Sequence, residues 1–200
     1  MKLSYGVARL LGRIAEIESL GIGVPMVISI VDENGSPVFY GCMDNALPVS
    51  RELAVSKAYT AAIMRMDTRT LGELSAPGAL LFGIQNTHGG KIILFGGGMP
   101  LIYGDCVIGA VGISGGTVEE DESVALSVQM AFTEMQQSAD SICRLVPQEQ
   151  LSIDVLESIK DSIVAAVEDS GGEQVEKHFA SIFKGAMILA DVSNNDKQVY

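Results

Sequence analysis

Two hundred residues with 48% hydrophobic side chains and a mean hydropathy of +0.31 carry enough apolar surface for a sizeable core, which excludes a disordered chain. A formal net charge of -12, from 25 acidic against 13 basic side chains, argues against nucleic acid and anionic membrane surfaces, because both are bound through clustered cations. No apolar run approaches the ~20 residues of a membrane-spanning helix, and Cys42, Cys106 and Cys143, odd in number and without C-x-x-C spacing, indicate neither a disulfide framework nor a zinc site.

Met1 to Leu11 lacks the charged region, apolar core and cleavage site of a secretory signal, so a soluble, cytoplasmic protein is expected. Val7, Leu10, Leu11, Ile14, Ile17 and Leu20 recur at helical spacing and predict an amphipathic helix over 4–20, stopped by Gly21 to Pro25. The β-branched run Met26 to Val31, the turn Asp32-Glu33-Asn34-Gly35 and Pro37 to Tyr40 predict a β-hairpin. Ser50 is the expected N-cap of a helix over Arg51 to Arg65, where Leu53, Ala54, Lys57, Ala58, Ala61 and Ala62 give one small-residue face. Between Leu71 and Thr87 the pattern weakens: Pro77-Gly78 is a breaker, and Leu80 to Ile84 reads as a short strand or buried turn.

Three short strands are expected next, Lys91 to Phe95, Leu101 to Tyr103 and Val107 to Ile113, with glycine turns between them as in an antiparallel meander. Thr117 followed by Glu120 matches a capping box, opening a long helix on Val124, Val128, Ala131, Met135 and Ile142 to about Arg144. After Pro147 two further apolar stripes follow, Leu151 to Val167 and Phe179 to Leu189, separated by Gly171-Gly172. The expected division is an α/β domain over 1–146 and a helical C-terminal extension over 147–200, used for packing or assembly.

Residues able to carry chemistry are few. Neither His88 nor His178 sits in a metal-binding spacing such as H-E-x-x-H, and Gly112-Ile113-Ser114-Gly115-Gly116 departs from the G-x-S-x-G of a nucleophile elbow. Gly96 to Gly98 and Gly115-Gly116 match no nucleotide-binding pattern; they read as turns or as backbone cradles for an anion. Thr117 at a helix start either caps the helix or touches a ligand. His88, in the polar run Asn86 to Gly90, is either a solvated loop histidine or an axial ligand for haem iron. Lys57, a cation beside an alanine-rich face, is solvated, paired, or at a pocket edge. No set of acid, base and nucleophile is apparent, which favours binding over catalysis.

The residues Gly23-Val24-Pro25, Val31-Asp32 with Gly35, Met43-Asp44, Ser50 with Ala54, and Lys57-Ala58-Tyr59-Thr60-Ala61 form the first half of a wider pattern. It continues in Gly97-Gly98-Met99-Pro100-Leu101, Gly104, Ile108 to Thr117, and Asp121 with Ala125. Over residues 4 to about 145 this resembles the GlcG/HbpS-like haem-binding family, found also as the C-terminal domain of some corrinoid adenosyltransferases. The resemblance implies an α+β, profilin-like fold with a five-stranded antiparallel sheet flanked by helices, and assembly into dimers or larger homo-oligomers. It implies a binding protein for haem or a related tetrapyrrole or corrinoid. The alternative is a non-catalytic accessory subunit of a glycolate- or diol-type metabolic system. Ligand contacts are expected from Lys57, Gly97, Gly98, Met99, Pro100, Ser114, Gly115, Gly116 and Thr117. Two positions depart from the pattern: Gly35-Ser36 stands where many relatives have Gly-His, and Cys42-Met43-Asp44 where Arg-Met-Asp is common. An imidazole and a propionate-binding cation are thereby removed, leaving Thr117, Cys42 and His88 as candidate iron ligands.

Overall fold

The computed structural model describes residues 2–145, with side chains to Gln137. Two compact units divide the chain, residues 2–130 and, apart from Met1, residues 131–200. The two apolar stripes after Pro147 and His178 lie outside the described residues.

The first helix, α1 (Tyr5–Gly21), starts where Ser4 Oγ accepts the Val7 N–H, and buries Val7, Leu11, Ile14 and Ala15 on one face. Strands β1 (Val27–Asp32) and β2 (Pro37–Cys42) form the expected hairpin. Its turn is built by Asp32, whose Oδ1 accepts from the N–H groups of Asn34 and Ser36 at 2.9 and 2.8 Å. Gly35 there has φ +78°, which an L side chain rarely adopts.

Helix α2 (Ser50–Met64) ends at Arg65 in the left-handed region, and α3 (Thr68–Leu74) is capped by Asp67, whose Oδ1 accepts from Thr70 N–H. Strands β3 (Gly98–Tyr103) and β4 (Cys106–Ser114) make a second hairpin, and α4 (Val118–Leu145) follows. The sheet is antiparallel throughout, in the order β2-β1-β4-β3. β1 and β4 pair in continuous register from Val27↔Ser114 to Asp32↔Gly109.

Side-chain alternation along the strands assigns the two faces. Val31, Ala110 and Gly112 lie under α2, where Val31, Ala58, Ala61, Ala62 and Ala110 form a cluster of small buried side chains. Gly112 is required there: a Cβ would run into the backbone of Ala54 and Ala58. Ile30 and its partner Phe39 point to the opposite face, and the Phe39 ring fills the space that a side chain at Gly12 of α1 would occupy. Fully buried Leu11, Ile14, Ile28 and Ile30 each contribute roughly 1.5–3 kcal/mol by leaving water. On β3, the Pro100 carbonyl accepts from Gln129 Nε2 of α4 at 2.8 Å.

Three local expectations are corrected. The sheet has four strands, not five, because Lys91 to Phe95 pairs with no strand. That segment is bound to α2 instead: Thr60 Oγ1, which donates to Ser56 O at 2.7 Å, accepts from Ile93 N–H at 3.0 Å. Ile92 is buried there, so the apolar run that mimics a strand is a core-lining loop. Leu80 to Ile84 is likewise no strand but a string of turns leading into the 3-10 turn Ile84–Asn86, with Leu80 and Phe82 exposed. Ser50 does not cap α2; it is the first helical residue and is buried, while Val49 holds the N-cap position without a side-chain bond.

Candidate functional site

The glycine-rich segments and Lys57 meet at one end of the sheet. Lys57 reaches from α2 under the end of β4, where its Nζ donates to Ile113 O at 2.9 Å and to Asp121 Oδ2 at 2.6 Å. The other oxygen, Asp121 Oδ1, accepts from the N–H groups of Gly115 and Gly116 at 2.9 and 3.0 Å. Both side chains are buried, and the ammonium lies 5.1 Å from the centre of the Phe95 ring. Burial pulls the Lys57 pKa below its ordinary value, opposed by the hydrogen bond and charge of Asp121. Gly97, at φ +111°, leaves room for this pair, since a Cβ there would sit 2.7 Å from both Lys57 Nζ and Ile113 O. Lys57 is thus paired in the interior rather than solvated.

The remaining expected contact residues fall around this knot. Gly98, Met99 and Pro100 are buried within β3, and Gly98 N–H donates to Thr68 Oγ1. Ser114 is buried at the end of β4. Thr117 and Glu120 form the reciprocal capping box: Glu120 N–H donates to Thr117 Oγ1 at 3.2 Å, and Thr117 N–H to Glu120 Oε2 at 2.8 Å. The hydroxyl that was a candidate ligand is therefore engaged in opening α4.

Two of the concavities on the surface of this unit involve the candidate residues or their neighbours. A groove of about 470 Å³ runs between the end of α1 and the end of β2, lined by Glu16, Leu20, Val24, Pro25, Cys42 and Met43 among others. Cys42 is exposed here, and Met43 is fixed because its thioether accepts from Met26 N–H. The neighbouring Tyr40 phenol is pushed up in pKa, first by burial and then by Cys42. Gly115 and Gly116 approach this groove from behind, since side chains there would meet Pro25 and Val24.

The second is a basin of about 510 Å³ between the hairpin turn, α2 and the loop after the 3-10 turn His88–Gly90. Its walls are Gly35 and Pro37 on the hairpin, Arg51, Glu52, Val55, Ser56 and Tyr59 on α2, and Gly89, Gly90 and Lys91 on the loop. Gly35 lets the turn lie directly against the Tyr59 ring, which a Cβ would strike. Lys91 holds its ammonium 5.8 Å from the centre of that ring, a cation–π contact. Among the described residues neither Arg51 nor Lys91 forms an ion pair. At the rim His88 Nδ1 and Tyr59 Oη are hydrogen-bonded at 3.0 Å. His88, Gly89 and Gly90 have successive φ values of 50°, 66° and 80°, a left-handed run in which His88 is the one residue with a side chain.

Of the three candidate iron ligands, the structure thus places Thr117 in a cap, Cys42 in the first groove and His88 beside the second. Tyr59 and Arg51, on α2, and Lys91 carry no motif of their own that singles out this basin. Their convergence follows from the path of the 65–91 loop, which brings His88 to Tyr59 across 29 positions. Asp121, one helical turn beyond Thr117, belongs to the pattern that carries the resemblance, but its pairing with Lys57 has no local signal. Among the described residues no group of three or more His, Cys, Asp or Glu could hold a metal ion. No described helix is long and apolar enough to cross a membrane.

Comparison with known proteins places this geometry. A family model described as "Haem degrading protein HbpS-like" matches residues 3–129. An uncharacterized 15.0 kDa protein in the dhaT-dhaS intergenic region of Citrobacter freundii is 39% identical over 133 residues, 66% of this chain and 94% of that protein. The corrinoid adenosyltransferase PduO of Salmonella typhimurium is 42% identical over 123 residues, or 62% of this chain, which spans only 37% of that enzyme's length. A crystal structure of a PduOC complex with haem superposes with a TM-score of 0.63 at 39% identity, covering 65% of this chain and 94% of that one. Klebsiella pneumoniae ORFY gives 0.64 at 34% identity, covering 66% and 92%, and HbpS, at 23% identity and 0.60, shares the fold over 65% and 89%. With an antiparallel sheet between helices and a family match over residues 3–129, the chain belongs to the HbpS-like family.

Proposed function

We propose that this chain is a haem-binding protein and that its site is the basin between the hairpin turn, α2 and the 88–91 loop. The observation that carries the reading is the composition of that basin. Two cations with no ion pair among the described residues, Arg51 and Lys91, line it with the Tyr59 ring and the apolar side chains of Val55 and Pro37, beside Glu52 and Ser56. A porphyrin needs this combination: a flat apolar surface for the ring and positive charge for the propionates. The volume of about 510 Å³ falls inside the roughly 300–1,000 Å³ of small-molecule sites. Bound haem would supply an iron centre whose reactivity is set by its axial ligand. Haem in the complex with PduOC, 39% identical to this chain, supports the same ligand class here.

Titration of the full chain with haemin tests the reading. A saturable Soret band at one haem per chain is expected, weakened by Arg51→Ala and by Lys91→Ala. A titration no different from that of an unrelated acidic protein would refute it. A parallel titration with cobalamin distinguishes a corrinoid, which the likeness to an adenosyltransferase makes the next tetrapyrrole to try. Self-association into dimers or larger assemblies is part of the proposal and is checked by sedimentation.

A second reading, an accessory module attached to a metabolic enzyme, is favoured by one fact: in PduO the matching segment is part of a chain well over twice as long, of which this chain spans 37%. Absence of haem binding, together with a partner lost on deleting residues 148–200, would select it.

A further inference from the structure

We propose that the basin between the hairpin turn, α2 and the 88–91 loop is a binding site for a small metabolite that carries an oxyanion group, a carboxylate or a phosphate. The proposal goes beyond the haem reading and does not depend on it, because it needs the two cations of the basin and no surface for a porphyrin.

Charge is the first ground. In a chain of net charge -12, three of the described basic side chains are engaged with carboxylates: Arg13 with Glu16, Lys57 with Asp121, and Arg69 with Glu119 and Glu122. Arg51 and Lys91 are exposed, have no ion pair among the described residues, and line one basin. Like charges that share a cavity repel each other, and a bound anion removes that repulsion. The other groove has the opposite character: its lining includes Glu16 and Asp44 and no cation, so an anion is turned away there.

The second ground is that the cations are set in place in advance. The Lys91 ammonium stands 5.8 Å from the centre of the Tyr59 ring, a contact that confines an otherwise mobile side chain. That ring is itself fixed, by the hydrogen bond between its Oη and His88 Nδ1 at 3.0 Å and by the turn at Gly35 that lies against it. A preset cation loses less freedom when the ligand arrives. Arg51 adds a planar fork of N–H donors that matches two oxygens of one carboxylate or phosphate, where the ammonium acts as a point charge.

The third ground is the polarity of the walls. Gly35, Gly89 and Gly90 have φ values of 78°, 66° and 80°, so part of the lining is bare backbone in a conformation that side chains rarely adopt. A Cβ at Gly89 or Gly90 would meet nothing within 4 Å, so both border open space. Glu52 and Ser56 stand on the same wall as Arg51, against Val55 and Pro37 as the aliphatic contribution. Such a lining suits a small hydrophilic ligand, with its oxyanion at Arg51 and Lys91 and its hydroxyl or amine groups at Glu52 and Ser56. The volume of about 510 Å³ leaves room for a molecule larger than the anionic group alone.

The test is calorimetric titration of the full chain with inorganic phosphate and, separately, with succinate, at constant ionic strength. Wild type, Arg51→Gln, Lys91→Gln and Glu52→Gln are compared. Saturable binding of at least one probe is expected with a Kd below about 1 mM, the upper end of the range in which enzymes meet their metabolites. Each cation substitution is expected to weaken it about 10-fold, as for the loss of one charge-assisted hydrogen bond. Glu52→Gln is expected to tighten it, because the opposing carboxylate is gone. All three side chains are exposed, so the variants are expected to fold, which circular dichroism checks. Tighter binding of phosphate assigns a phosphate ester, and tighter binding of succinate assigns a carboxylate. No saturation by either probe, or affinities unchanged in both Arg51→Gln and Lys91→Gln, would overturn the proposal. Haemin is titrated alongside: anion binding without haemin binding supports the proposal and removes the haem reading, whereas haemin binding without anion binding does the reverse.

Discussion

Replacing Lys57 by Met removes the ammonium from a site that water cannot reach. The carboxylate of Asp121 then stays buried with the N–H groups of Gly115 and Gly116 on one oxygen, while the other oxygen and Ile113 O lose their donor. Breaking one side of a buried ion pair costs about 3–5 kcal/mol, because the surviving charge is left uncompensated. Against a typical total of about 5–15 kcal/mol this is a large fraction of the stability. For a domain of this size it lowers Tm on the order of 10–20 °C. The pair itself is not expected to be strongly stabilising, because burial opposes the charge on Lys57. Asp121→Asn keeps an oxygen for Gly115 and Gly116 but leaves the lysine charged and alone. The double substitution removes both charges, so it is expected to cost less than the sum of the single ones, with a coupling of about 1–3 kcal/mol. Urea unfolding followed by circular dichroism on the four proteins measures all three quantities. A Lys57→Met penalty under 1 kcal/mol, additive with that of Asp121→Asn, would show that the pair is not desolvated as described.

Gly112→Ala drives a methyl into the backbone of α2 and is expected to lower stability by at least about 1–3 kcal/mol, measured in the same way. Thr117→Ala removes the cap of α4 and is expected to cost about 0.5–2 kcal/mol while leaving the haemin titration unchanged; loss of the Soret band would instead make Thr117 a ligand. Cys42→Ser, in the other groove, is expected to change neither the affinity for haemin nor its spectrum. Haemin affinity is expected to fall with rising salt in the wild type and less steeply in Lys91→Ala, because propionate contacts to exposed cations are screened.

The sequence made some of this molecule readable because the responsible signals are local. Asp32 to Gly35 predicts its turn through side-chain bonds within four residues, and Thr117 with Glu120 predicts the start of α4 through bonds across a single helical turn. The antiparallel, helix-flanked sheet followed from the resemblance and from strand alternation. What failed has a common physical origin. Lys91 to Phe95 has the apolar content of a strand, but its backbone partner is the Thr60 hydroxyl on α2, a tertiary contact no local pattern records. Ser50 has cap chemistry but is buried one position inside the helix. Lys57 stands out in the sequence as a cation on an alanine-rich face, but its partner lies 64 positions away. The basin was the least readable feature, since Arg51, Tyr59, His88 and Lys91 are ordinary residues until the chain folds them together.

The outer side of β3 has a consequence for how this protein behaves at high concentration. Main-chain N–H and C=O of one residue in an antiparallel strand point to the same side. The Pro100 carbonyl is engaged by Gln129, on the side away from β4, and proline offers no N–H at all. At its midpoint this strand therefore presents neither a donor nor a free acceptor to an approaching chain, the kind of blunted edge that discourages strand-by-strand polymerisation. Any growth of the sheet from molecule to molecule is steered toward β2 at the far end of the order.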